Sequence, residues 1–144
     1  MTFIVPFDGS KRTKTALSRG RELANGANKP MAAISVIPSN NAKYARKMGW
    51  IPSDVPFDGP RIASTLRSQV QDIAPEATFE YEVCRRSVTA TSISKPIRKF
   101  AKQQDAPTVV VGSDEPGQGM PVASSVGARV TSDTAYDVLI VRSR

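Results

Sequence analysis

The chain alternates short apolar, β-branched runs with segments of helical spacing, and this alternation restricts its fold more than any other feature. Phe3 to Phe7 is one such run, Met31 to Ile37 a second, and Pro107 to Ser113 a third, rich in valine. Between them, apolar residues recur every three or four positions, as on one face of a helix. Ala16, Leu17, Gly20, Leu23 and Ala24 form one stripe, and Ile62, Leu66, Val70 and Ile73 form another. Apolar strands separated by amphipathic helices imply a parallel sheet covered on both faces.

The remaining elements follow from local chemistry. Asp8-Gly9-Ser10 is a turn, and Ser10 suits a helix N-cap because its hydroxyl can accept from a first-turn N–H. Gly26 suits the left-handed residue just past that helix. Residues 39–58 read as a long loop or lid, with a short helix around Ala42 to Met48. In that segment Tyr44, Trp50 and Phe57 either pack the loop down or meet a partner, or else cap a base. A helix is expected from about Pro60 to Ala74, then a strand from Thr78 to Arg85. That strand alternates Phe79, Tyr81 and Val83 with Glu80, Glu82 and Cys84, as at a sheet edge. Another helix opens at Thr91 or Ser92, the last helix runs from Ser125 to about Thr134, and the last strand spans Val138 to Val141. The order is β-α-β-α-β-α-β-α-β in one α/β domain over residues 1–144. Ligands of such sheets bind beyond the carboxyl ends of the strands, where the strand order reverses.

Composition removes several function classes. The 144 residues hold no histidine and one cysteine, Cys84. A Ser-His-Asp triad, a histidine-ligated metal and an intrachain disulfide are therefore excluded within them. No apolar run approaches the ~18 residues of a membrane span. The opening Met1-Thr2-Phe3-Ile4-Val5-Pro6 reads as a strand rather than a signal peptide, so a cytoplasmic location is expected. The net charge is +7 and is uneven: residues 1–105 carry 17 Lys/Arg against 9 Asp/Glu, and residues 106–144 carry 3 against 4. The basic part invites a nucleic-acid reading through Lys11, Arg12, Lys14, Lys95, Arg98, Lys99 and Lys102. The plainer reading is a set of solvated helix faces.

The third apolar run, Val109-Val110-Val111, leads into Gly112, then Gly117 and Gly119, then Ser124-Ser125-Val126 at a helix start. A glycine-rich loop before a helix N-terminus can cradle a phosphate with main-chain N–H groups. Asp114 and Glu115 stand in this loop, and no Lys or Arg lies between Gly112 and Gly127. Each feature also has a structural reading: loop glycines, and an N-cap serine pair.

Both ends of the chain resemble the universal stress protein family. The resemblance rests on Ile4-Val5-Pro6-Phe7-Asp8-Gly9-Ser10, on Val109 to Ser113 with Ser124-Ser125-Val126, and on Val138-Leu139-Ile140-Val141-Arg142. It implies a five-stranded parallel sheet in the order 3-2-1-4-5, the Rossmann-like arrangement of adenine nucleotide alpha hydrolase-like proteins. The site would lie between strands 1 and 4, with Pro6, Asp8, Val36, Gly112, Gly117, Gly119, Ser124, Ser125 and Val126 as its residues. Asp8 would contact the nucleoside and Val36 the adenine. The implied ligand is ATP, with Mg²⁺ accompanying it, and the implied assembly is a homodimer through the last strand. The implied role is stress-response regulation, with an unidentified protein partner and at most slow ATP hydrolysis. Glu115 stands where nucleotide-binding members carry a glycine, Ser124 replaces another, and the loop is one residue short. A second reading is therefore a dimeric interaction module that binds no nucleotide.

Overall fold

The computed structural model describes residues 1–85, 87–113 and 125–142, with Ser125 described in its backbone only. Among these residues the strands are β1 (Thr2–Pro6), β2 (Met31–Pro38), β3 (Thr78–Cys84), β4 (Pro107–Ser113) and β5 (Asp137–Arg142). The helices are α1 (Lys11–Ala27), α2 (Ala42–Lys47), α3 (Gly59–Ile73), α4 (Ala90–Lys102) and α5 (Ser125–Thr131). All strand pairs are parallel, in the order β3-β2-β1-β4-β5. The chain folds outward from β1 to β3, then crosses to β4, so the strand order reverses between β1 and β4.

Side chains alternate across the sheet and feed two cores. Phe3, Val5, Ala33 and Val110 face α1 and α3. Ile4, Ile34, Val36 and Val109 face α4 and α5. Because both faces are covered, β2 is buried at every position. β3 and β5 are edge strands and are largely exposed.

Helix ends differ from the sequence expectation in informative ways. Ser10 caps α1 through Thr13 as expected, but α1 runs past Gly26. Asn28 takes the left-handed position at φ 54°, where its short polar side chain is tolerated. α4 begins at Ala90, one residue early, because Thr89 and Ser92 close a capping box. α5 ends at Thr131 rather than near Thr134. Asp133 instead accepts from Arg98 Nε at 2.9 Å and pairs with Lys102 Nζ at 2.8 Å. Those bonds tie the end of α5 to α4 and hold the Asp133 carboxyl well below its ordinary range. Tyr136 packs beside them and donates to the Val130 carbonyl, while burial pushes its phenol up to about 12.

Candidate functional site

The first turn after β1 is built around one carboxylate oxygen. Asp8 Oδ1 accepts from Ser10 N at 2.8 Å and from Thr13 Oγ1 at 2.9 Å. Gly9 completes the turn at φ 82°, a left-handed value that favours glycine. The end of β1 is held from the other side: Ser35 Oγ donates to the Phe7 carbonyl at 2.6 Å, and Phe7 N donates to Ile34 O at 2.9 Å. Asp8 therefore orders its own turn, with its position fixed by α1 and β2.

Trp50 closes the turn from outside. Its Nε1–H donates to the Asp8 carbonyl at 2.8 Å, and the side chain is buried. Tyr44 meets the Trp50 ring edge-on at 5.6 Å. The chain after β2 is thus packed down by its aromatic residues, one of the readings open from sequence, while Tyr44 also lines the cavity described next. Asn41 caps α2 by accepting from Tyr44 N at 2.9 Å. Burial raises the Tyr44 phenol above its ordinary value, Asp8 adds to the rise, and Arg12 opposes it.

These elements enclose a cavity of about 430 Å³ at the carboxyl ends of β1 and β4. That volume is within the usual range for small-molecule sites, and the location is the topological switch point. One side is apolar: Val36, Ile93, Val111, Val126 and Val130. The other is polar: Asp8, Arg12, Thr13, Tyr44 and Lys47. Arg12 stands at the second position of α1 and Lys47 at the end of α2.

Five of the residues expected from sequence, Pro6, Asp8, Val36, Gly112 and Val126, line this cavity. Val36 does so from within β2, where it pairs with Glu82. Ser125 opens α5, and its side chain lies outside the described residues. Gly117, Gly119 and Ser124 also lie outside the described residues.

Gly112 has a packing reason of its own. A Cβ there would overlap the Arg12 carbonyl oxygen and sit 2.8 Å from the Arg12 carbonyl carbon. Its φ is outside the left-handed region. The glycine therefore lets the end of β4 approach the first turn of α1, bringing Arg12 to the cavity edge.

Sequence reasoning did not assign Arg12, Lys47, Thr89 or Ile93 to the site. The basic first turn of α1 was the available signal for Arg12. The other three come from α2 and α4, and only tertiary packing brings those helices to one cavity. The basic residues of the nucleic-acid reading fall on opposite sheet faces, because α1 packs on one core and α4 on the other. Arg98 and Lys102 are also engaged by Asp133. They do not form one continuous patch.

Among the described residues no group of three His, Cys, Asp or Glu is arranged to hold a metal ion. No helix among them is long and apolar enough to cross a membrane.

Solved structures share this fold across nearly the whole chain. A universal stress protein in complex with cAMP aligns at TM-score 0.59 and 19% identity, covering 98% of this chain and 96% of that one. A universal stress protein from Archaeoglobus fulgidus aligns at TM-score 0.59 and 18% identity, covering 97% of each. The Archaeoglobus fulgidus protein in complex with dAMP aligns at TM-score 0.51 and 17% identity, covering 97% and 96%. No curated protein matches the sequence. The model of the universal stress protein family matches residues 1–142, and the chain belongs to that family.

Proposed function

We propose that the chain binds an adenine nucleotide in the cavity between β1 and β4 and acts as a cytoplasmic stress-response regulator. The observation that carries this reading is the cavity itself. It joins an apolar wall suited to a base with a polar wall suited to sugar and phosphate. Val36 and Ile93 would flank the base, and the Asp8 carboxylate would accept from ribose hydroxyls. Related structures carry cAMP and dAMP, which supports an adenine ligand here. ATP is the nucleotide the family resemblance implies, and Mg²⁺ would arrive on its phosphates. Gly117, Gly119, Ser124 and Ser125 would complete the site from the glycine-rich loop and the start of α5.

Regulation would follow from occupancy. A ligand touching α1, α2, β4 and α5 couples segments that are far apart in sequence, and a partner would read their changed arrangement. A homodimer through β5 would be the form that acts, because β5 is an edge strand exposing Leu139 and Ile140. Calorimetry with ATP, ADP and AMP, with and without Mg²⁺, tests the reading. Saturable heat that Val36→Asp abolishes is the expected result. Absence of heat at millimolar concentrations of all three would leave the non-nucleotide interaction module as the function.

A further inference from the structure

Of the two sheet edges, β5 is the less protected. β3 carries Glu80 and Glu82, both exposed, and charged side chains are one way to blunt an edge. β5 has no charge and no proline from Val138 to Val141, and Leu139 and Ile140 are exposed. Its outward N–H and C=O groups have no strand partner among the described strands. Such an edge is a template for one more strand.

The groove beside β5 adds a charge requirement. It has a volume of about 900 Å³ and runs between α1 and β5. Lys11, Lys14, Ser18 and Glu22 recur three or four residues apart, so they share the face of α1 that lines it. Glu22, the one acid of the groove, pairs with Arg19 at 3.3 Å. Lys11 and Lys14 have no ion pair among the described residues. The first turn of α1 holds no acid, and the helix dipole adds positive potential there.

The groove is also graded along its length. Gly112 lies against the Arg12 main chain and pairs with Val141, so the start of α1 stands beside the carboxyl end of β5. Gly20 approaches Val110, which pairs with Leu139, so the later turns of α1 stand beside Leu139. Leu23 follows Gly20 and lines the groove. One end therefore offers lysines, and the other offers apolar surface.

We propose that β5 and α1 form a docking site for an extended acidic segment of a partner protein. The segment adds to β5 as a sixth strand, with carboxylates against Lys11 and Lys14 and apolar side chains against Leu139 and Leu23. A nucleic acid would neutralise the lysines and leave the apolar residues and main-chain groups of β5 unused. A second copy would use the main chain and bring another pair of the same lysines to the groove. Both protein occupants need the same edge, so the acidic segment displaces the β5 dimer. The proposal is independent of the nucleotide reading.

Fluorescence anisotropy on the full chain tests this, with a labelled decapeptide that alternates valine and glutamate. The peptide should bind saturably at 20 mM sodium chloride and more weakly at 500 mM. The double variant Lys11→Glu/Lys14→Glu changes two exposed side chains and should weaken binding by about tenfold or more. The same peptide N-methylated at every amide keeps its charge, loses its main-chain donors and should not bind. No binding of the parent peptide at millimolar concentration would overturn the proposal. So would equal binding of the N-methylated peptide, or unchanged affinity in the double variant. An oligothymidylate of equal charge that binds as tightly as the peptide would overturn it in favour of a nucleic acid.

Discussion

The Trp50 indole donates to the main-chain carbonyl of Asp8 at 2.8 Å, across 42 residues of sequence. This bond fastens the segment after α2 to the turn that forms the cavity wall. Trp50→Phe keeps an aromatic ring and removes the donor, so the Asp8 carbonyl loses a partner. The expected cost is about 1–2 kcal/mol, read from urea unfolding. Trp50 is also the chain's one tryptophan, so its emission reports on this contact alone. Nucleotide addition should shift that emission in the unmodified protein. An unchanged unfolding midpoint in Trp50→Phe would show that the bond contributes nothing measurable.

Two glycine substitutions should have opposite signs. Gly112→Ala forces a Cβ against the Arg12 main chain, which cannot yield as a flexible side chain would. A loss of about 1–3 kcal/mol is expected, by the overpacking argument. Gly26 lies inside α1 with nothing within 4 Å of an added Cβ. Gly26→Ala should therefore stabilise by about 0.5–1 kcal/mol, the helix-propensity difference. Had Gly26 occupied the left-handed position past the helix, as its sequence context suggests, the same change would destabilise. Thermal denaturation of the two variants distinguishes these cases.

These glycines also mark how far sequence could reach. The sheet was legible because Val109, Val110 and Val111 feed both cores in turn, leaving a continuous apolar run. Strand order came from family resemblance, because periodicity identifies elements without ordering them. Asp8 and Gly112 were legible as residues at the mouth of the crevice because they lie at or just past the ends of β1 and β4, next to the reversal point. Thr89 was not, since its contribution depends on how α4 packs across β2 and β4. The end of α1 was misplaced because two residues near it tolerate left-handed backbone. Asn28, rather than Gly26, has its N–H within reach of the Asn25 carbonyl, at 3.2 Å.

Asp133 should make stability depend on pH in the acid range. Lys102, the Ala135 N–H and Arg98 favour its ionised form, so its folded-state pKa is depressed. A depressed carboxyl contributes stability that is fully present above its unfolded value, about 3.9. That stability is lost as pH falls from there toward the folded value. Asp133→Asn should lower Tm at pH 7 by a few degrees, and the gap between the two proteins should narrow below about pH 4. Differential scanning calorimetry from pH 3 to pH 7 measures this. A gap that stays constant with pH would assign the effect to side-chain packing instead of charge.

The edge strand β5 leads to a prediction about salt. Leu139 is 36% and Ile140 39% exposed on a strand that pairs with β4 alone among the described strands. Beside it runs a groove of about 900 Å³, lined by Lys11, Lys14, Arg19 and Arg142 with the single acid Glu22. A two-fold dimer through β5 would bring the same groove of both copies to one interface. Apolar burial of Leu139 and Ile140 favours that pairing, and repulsion between the two basic grooves opposes it. Salt screens repulsion between exposed charges and leaves apolar burial largely intact, since the Debye length falls from about 30 Å at 0.01 M to about 3 Å at 1 M. Dimerisation should therefore strengthen with sodium chloride, the reverse of an interface held by ion pairs. Sedimentation equilibrium at 20 mM and 500 mM salt should show the dimer fraction rising. Ile140→Lys adds one charge per copy and removes apolar area, so it should give monomer at both concentrations. A wild-type protein that stays monomeric at high salt and high concentration would rule out β5 as a self-association edge.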